Sequence, residues 1–282
     1  MMGLIKFFLK NIYYLFEPLY IFFRNLGNEH FFYILTPRII SYFLMKVIIF
    51  NKEKKKFFFQ SVRNHYDINT VFQVFGYEEY NLKKINLWEK INKEYKKIKK
   101  EKLIIDCGSN IGSTSRYFFE TYNNINIISI EPDKNNFKYL IKNASFKKIK
   151  LFNSGVASKE YPFKVVKSKD PRAHRINILK NRNKNKKKQI NKTITINKIL
   201  KDEKKFWPFI IKIDIEGFEN ELFRKNYQWM NKFKIIIVEI HDWMLPNQSI
   251  SSTYINALSK VSKKNKRDLI ILGENLISIR KS

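Results

Sequence analysis

Apolar side chains recur at spacings of three and four from Leu4 through Phe8, Ile12, Leu15, Leu19 and Phe22 to Leu26. Lys6, Lys10, Tyr13, Glu17, Tyr20 and Arg24 fall on the other side. That period predicts an amphipathic helix, opposed at one point by Pro18. The next apolar run, Phe31 to Phe50, approaches the ~20 residues that cross a bilayer, yet Pro37, Arg38 and Lys46 interrupt it. A span is therefore not expected, and no small-residue cleavage site follows a clean apolar core, as a removable signal peptide would require. Two readings of residues 1–50 stay open: helices that cap the following domain, or a peripheral membrane attachment reinforced by the cluster Lys52 to Lys56.

From Val71 the stretch VFQVFGYEEY has a loop-and-strand character, and a Lys-rich helix is expected from Leu82 to Lys100. Strand and helix patterns then alternate. Strands are predicted at Lys102 to Cys107, Ile125 to Ile130 and Lys148 to Val156, with helices at Gly112 to Tyr122 and Asn135 to Ser145 between them. A further strand at Tyr161 to Lys167 leads into a polar stretch, Lys169 to Lys192, that reads as a disordered or mobile loop. Two apolar strands follow, Phe209 to Glu216 and Lys234 to His241, and Asp268 to Arg280 reads as strand, Gly-Glu-Asn turn, strand. The pattern predicts an α/β fold, a doubly wound and mostly parallel sheet closed by a C-terminal antiparallel hairpin. The expected division is a helical extension over residues 1–70 and a catalytic domain over residues 71–282.

Composition changes this picture little. The chain has 282 residues, with 55 Lys and Arg against 25 Asp and Glu, a formal charge of +30. Such a balance favours anionic partners. The joint over-use of Lys, Asn, Ile and Phe, however, is what an AT-rich coding sequence produces without selection for charge, so nucleic acid is not the expected partner. The single cysteine, Cys107, excludes an internal disulfide and a multi-cysteine metal site, points to a reducing, cytoplasmic location, and fits a buried core position.

The chemistry concentrates at the predicted strand ends. In Asp106-Cys107-Gly108-Ser109-Asn110-Ile111-Gly112, Gly108 permits a sharp turn and close approach to a ligand, and Gly112 permits tight packing of the next helix. Dinucleotide enzymes carry G-x-G-x-x-G here to seat a pyrophosphate. This loop lacks the middle glycine and is led by an acid, which repels phosphate and attracts a cation. Glu131 stands nineteen residues past Gly112 at the next strand end, placed to accept both ribose hydroxyls of an adenosyl group. An adenosyl ligand with an ammonium and a sulfonium fits best, which is S-adenosylmethionine.

Four stretches in order, IIDCGSNIG, SIEPDKNNFKYLIKN, FIIKIDIEGFE and IIIVEIH, resemble the FkbM-type methyltransferases of the class I S-adenosylmethionine-dependent fold, across most of Lys102 to His241. Ser109 stands where that family usually has Ala, and Asn197 where it usually has Asp. The resemblance implies a seven-stranded sheet with a terminal hairpin, a cofactor over the first two strands involving Asp106, Gly108, Asn110, Gly112 and Glu131, and O-methylation of hydroxyls, often on sugars or secondary metabolites.

For the acceptor, strand alternation sends Lys212, Asp214 and Glu216 to one side. Three charges on a strand suited to a doubly buried sheet are costly unless paired or used. They either form an ion pair of Lys212 with Asp214 or Glu216, or line a polar pocket with Glu239 and His241 from the adjacent strand. Asp214 is the first choice as base, with Glu216 or His241 as substitutes, and Lys212 and Glu239 as substrate-binding groups. Asp214, Glu216, Glu239 and His241 also have the ligand types for a divalent metal, but strand-end carboxylates hold sugar hydroxyls equally well without one. The expected activity is O-methylation of a sugar, glycolipid or secondary-metabolite hydroxyl. The alternatives are a nucleic-acid methyltransferase or an inactive, membrane-associated scaffold.

Overall fold

The computed structural model describes residues 2–27, 29–179, 191–245, 247–263 and 265–281, with side chains from residue 12 onward. The chain forms two compact units. One comprises Met1–Lys99, Ile111–Asn123 and Ile141–Ala144; the other comprises Lys100–Asn110, Asn124–Leu140 and Ser145–Ser282.

The first unit opens with helix α1 (Met2–Arg24), which continues through Pro18. Its burial runs against its hydrophobic pattern. Glu17 is 1 % exposed and Ile21 and Asn25 are buried, whereas Leu15, Leu19, Phe22 and Leu26 of the apolar stripe are 46, 53, 36 and 53 % exposed. The inversion has a polar cause: Glu17 accepts hydrogen bonds from Arg38 and, at 2.7 Å, from the Tyr77 hydroxyl, so the acid binds that side of the helix inward. Among the described residues no helix is long and apolar enough to cross a membrane.

The expected helical extension is helical only in part. The run from Phe31 to Phe50 breaks into strand β1 (Phe32–Ile34), helix α2 (Arg38–Leu44) and strand β2 (Lys46–Asn51), because Pro37 opens a helix and Met45 ends it in the left-handed region. With β3 (Lys56–Ser61) these strands make an antiparallel three-stranded sheet in the order β1-β2-β3. Val47, Ile49 and Phe58 point inward, while Phe57 and Phe59 alternate outward.

The stretch from Val71, expected to have loop-and-strand character, instead closes helix α3 (His65–Val71) and extends it by one π turn, Phe72–Gly76. Buried Val71, Phe72, Val74 and Phe75 recur as a helical face, and the Asn64 side chain caps the start by accepting from the Asp67 amide. The long Lys-rich helix shortens to a single turn at Leu82–Lys84 followed by α4 (Trp88–Lys97). The same unit takes in α5 (Ser113–Thr121), whose Tyr117 packs against Phe31, Phe32 and Phe75. Phe32 and Phe75 meet edge to face at 5.1 Å. Glu78, fully buried, holds this junction together by accepting the Phe31 and Phe32 amides at 2.6 and 2.8 Å and the Asn81 amide at 2.6 Å.

The second unit holds the main sheet: β4 (Lys102–Cys107), β5 (Ile125–Ile130), β6 (Ile149–Phe152), β9 (Trp207–Ile213), β10 (Ile235–Glu239) and the hairpin β11 (Arg267–Leu272) and β12 (Asn275–Arg280). The order is β11-β12-β10-β9-β4-β5-β6, parallel from β10 to β6 and antiparallel at β12. Both faces of β4 are buried along its whole length, as the apolar run Leu103 to Ile105 favours. Cys107 lies in the core with Ile105, Ile130, Ile213 and Val238, and burial holds its thiol protonated. Strands β4 and β9 are neighbours from which the order departs in opposite directions, so their carboxyl ends flank a topological switch point.

The predicted polar loop from Lys169 is ordered at its start: β7 (Phe163–Val166) pairs with β8 (Arg175–Ile178), Phe163 opposite Ile178. Ile176 and Ile178 supply the alternation that its many Lys and Asn residues obscured. Residues 180–190 of that stretch lie outside the described residues. Helices α6 (Lys134–Ala144), α7 (Ile196–Asp202), α8 (Glu219–Arg224) and α9 (Ile250–Ser262) complete the alternation.

Candidate active site

The end of β4 carries the glycine loop. Gly108 has a left-handed φ of 79°, and a Cβ placed on it would lie 1.7 Å from the Asp214 carbonyl oxygen. The close approach that demands glycine is therefore to the backbone beyond β9 rather than to a ligand. Asn110 (φ 48°) and Gly112 (φ 88°, the residue before α5) are left-handed as well. Ser109 closes the turn by donating to the Asp106 carbonyl at 2.9 Å and accepting the Ile130 amide at 3.0 Å.

At the end of β5, Glu131 accepts the Asn110 amide at 2.8 Å through one oxygen and the Asp133 amide at 2.8 Å through the other. The acid thus ties the glycine loop to its own turn. Burial raises Glu131 to about 7, against the opposing pull of the Asp133 and Asn110 amides. The Asn110 side-chain oxygen is buried and makes no hydrogen bond, a polar atom suited to a donor from a bound ligand. An adenosyl group with two ribose hydroxyls and an ammonium suits this donor-seeking set.

Asp106 is fully buried, and its carboxylate faces the Lys212 ammonium at 3.5 Å. Lys212, 2 % exposed, also donates to the Gly108 carbonyl at 2.9 Å and to Asp214 at 3.1 Å. The ion pair read from the sequence as one possibility is present, and Lys212 spends its ammonium on the protein: it binds the β4 loop to the β9 end.

Beyond Ile213 the chain leaves the sheet through Glu216 (φ 56°) and Gly217 (φ 89°), two consecutive left-handed residues. A Cβ on Gly217 would meet Leu245 at 2.3 Å. This turn brings Asp214 and Glu216 to one imidazole. His241 Nε2 lies 3.6 Å from Asp214 Oδ1, from Glu216 Oε2 and from Glu239 Oε1. Its Nδ1 is 3.0 Å from Glu219 Oε1, which also accepts the Ile215 amide at 3.1 Å.

Burial alone would depress His241, but the hydrogen bond to Glu219 and the charges of Glu219, Asp214 and Glu216 outweigh it and raise it to about 9. Burial and then the neighbouring Asp214 push Glu216 up to about 8. Sequence reasoning missed Glu219, which belongs to α8, although its spacing of three from Glu216 across a Gly turn was visible. It also missed Trp243, 75 % exposed, whose ring lies 6.3 Å from that of His241.

The methyltransferase FkbM domain model matches residues 106–264, more than half of the chain and the whole run from the glycine loop to the end of α9. The chain belongs to the FkbM methyltransferase family. As a member it is a class I S-adenosylmethionine-dependent methyltransferase, and the seven-stranded sheet with its terminal hairpin is the fold expected of it. No curated protein sequence matches it. Among solved structures, it is similar to a putative caffeoyl-CoA O-methyltransferase from Staphylococcus aureus (12 % identity, TM-score 0.38, covering 76 % of this chain and 91 % of that one). A methyltransferase from Geobacter sulfurreducens gives 13 %, 0.36, 76 % and 88 %. An rRNA methylase from Streptococcus thermophilus gives 6 %, 0.38, 71 % and 97 %. These distant likenesses carry no information on the acceptor.

Proposed function

We propose that this FkbM-family enzyme is an O-methyltransferase acting on a hydroxyl of a sugar, glycolipid or related secondary metabolite. The observation that supports it is the convergence of Asp214, Glu216 and Glu239 on His241 at the carboxyl ends of β9 and β10, beside the switch point. Carboxylates accept from hydroxyl groups and a protonated imidazole donates to them, and the exposed indole of Trp243 offers an apolar face on which a sugar ring can lie.

Bound S-adenosylmethionine supplies an electrophilic methyl group on a sulfonium. Glu131 would hold its ribose hydroxyls, and Asn110 and Asp106 belong to the wall of the same loop. Lys212 bridges Asp214 and the Gly108 carbonyl, tying the proposed base to the cofactor loop. Asp214 would orient the acceptor hydroxyl and take its proton, and positioning supplies most of the acceleration. Glu216, raised to about 8, and His241, raised to about 9, hold their protons at neutral pH and would donate to the acceptor's oxygens, which leaves Asp214 as the base.

The reading is tested with a transfer assay using tritiated S-adenosylmethionine against cell glycolipid, polysaccharide and RNA fractions. Label entering glycolipid or polysaccharide supports it. Label entering RNA alone would replace it with nucleic-acid methylation, and S-adenosylhomocysteine binding with no transfer to any fraction would favour a domain that has lost turnover.

A second reading concerns the first unit and rests on the inverted burial of α1. An amphipathic helix that turns its acid inward and its Leu and Phe stripe outward presents the face that enters a lipid interface. Phe43 on α2 and Phe57 on β3 are exposed as well, and Lys46 and Lys55 supply positive charge for anionic headgroups, while Lys54 and Lys56 are paired with Glu120. We read this unit as a peripheral attachment to anionic membrane.

A further inference from the structure

Four carboxylates gather on one buried imidazole, and they do so with direction. Glu219, fully buried, approaches His241 Nδ1 at 3.0 Å and is itself fixed by the Ile215 amide through the same oxygen. With Nδ1 held by Glu219, the other ring nitrogen, Nε2, is aimed at Asp214 Oδ1, Glu216 Oε2 and Glu239 Oε1, each at 3.6 Å. That distance is too long for a hydrogen bond. It is close to the ~3.4 Å that separates ligand atoms placed ~2.1 Å from a tetrahedral ion.

One ligand atom each from Asp214, Glu216 and His241 lie within 4.8 Å of one another, so a cation would draw them together by up to about 1.4 Å. A carboxylate on the far nitrogen of a ligating histidine is the arrangement that fixes its tautomer and ring plane. Glu216 is held toward the cluster by a left-handed backbone, φ 56°, that costs energy for a residue with a side chain.

We propose that Asp214, Glu216 and His241 form a site for a divalent transition cation, with Glu239 beside it and Glu219 as the positioning residue behind the histidine. Imidazole together with carboxylates suits Mn²⁺, Fe²⁺ or Zn²⁺ better than Mg²⁺ or Ca²⁺, which prefer oxygen alone. Three protein ligands leave coordination positions open. On the O-methyltransferase reading, on which this consequence rests, an acceptor with two neighbouring hydroxyls fills them, which narrows the substrate class to vicinal diols such as sugars provide.

The test uses the full chain, freed of metal by a chelator and dialysed, then titrated with Mn²⁺ while the resonance of the free ion is followed, with Zn²⁺ as competitor. The expected result is one saturable Mn²⁺ site. His241→Gln and Asp214→Asn weaken it at least tenfold, Glu219→Gln weakens it about 10- to 100-fold, and Glu131→Gln leaves it unchanged. Circular dichroism melting identifies any variant that does not fold; if His241→Gln is one, the part-exposed Asp214→Asn decides. No saturable binding of Mn²⁺ or Zn²⁺ to the wild type overturns the proposal, as does wild-type affinity in both folded ligand variants, which would leave a proton as the cation on Nε2. S-adenosylhomocysteine calorimetry on the same preparation separates the two readings: cofactor binding without metal binding sinks the cation site alone.

Discussion

A methyl group on Gly108 would sit 1.7 Å from the Asp214 carbonyl oxygen, so the cofactor loop and the proposed base are built on the same backbone contact. Gly108→Ala must relieve that overlap by parting the ends of β4 and β9, and must also carry a left-handed φ at a cost of roughly 1–2 kcal/mol. The expected outcome is a melting temperature lowered by about 5 °C or more together with loss of S-adenosylhomocysteine binding by calorimetry. An unchanged melting temperature would show that the two strand ends tolerate separation.

The ribose-binding role proposed for Glu131 predicts that cofactor affinity depends on pH. Its carboxyl is raised to about 7 by burial, and only the ionised form accepts two ribose hydroxyls. Affinity for S-adenosylhomocysteine should therefore be full above pH 8 and fall by up to tenfold per unit below about pH 7. The folding linkage has the opposite sense: a raised acid binds its proton more tightly in the native state, so this residue's contribution to stability is present at low pH and declines as pH rises toward 7. Glu131→Gln should flatten the affinity profile and bind more weakly at pH 8. A wild-type profile flat from pH 6 to 8 would remove Glu131 from the ribose-binding role.

The sheet was legible because its strands are apolar runs bounded by acids and glycines: Lys102–Cys107 and Ile125–Ile130 lie where the pattern puts them. The residues of the Asp214, Glu216 and His241 grouping were legible, but for another reason than the strand alternation expected of them: β9 ends at Ile213 and β10 at Glu239, and the left-handed Glu216-Gly217 turn beyond the sheet brings the carboxylates to the imidazole. Two features were not legible. The Phe72–Gly76 turn is rich in aromatics and β-branched neighbours, whose strand preference was overridden by packing in the Phe32, Phe75 and Tyr117 cluster. The orientation of α1 was hidden because hydrophobic period locates an apolar stripe without saying whether the protein covers it. The partners of Glu17, namely Arg38 and Tyr77, are 21 and 60 residues away.

Asp214 and Trp243 should separate in kinetics. Asp214→Asn removes the proposed base while keeping a similar shape beside Lys212, so turnover should fall about 10²- to 10⁴-fold with S-adenosylhomocysteine affinity preserved within about twofold. Trp243→Ala removes an exposed surface, so KM for the acceptor should rise with kcat and melting temperature little changed. Equal loss of cofactor binding in Asp214→Asn and Glu131→Gln would mark Asp214 as structural.

The exposed apolar side chains of α1 and α2 predict membrane binding that does not depend on removing any element of the fold. Phe16, Phe23 and Phe43 are 56, 60 and 77 % exposed, so replacing all three with Ser should leave the melting temperature within a few degrees. Each ring entering the interface gains on the order of 1.5–3 kcal/mol at full burial, so the triple variant should lose about 100-fold or more in partitioning. Flotation with vesicles containing anionic phospholipid should carry the wild type upward and leave the triple variant below. Raised salt should weaken the wild-type interaction through the Lys46 and Lys55 contribution, and neutral vesicles should bind less. Equal flotation of both proteins would mean that another surface binds lipid, and no flotation of either would overturn the membrane reading.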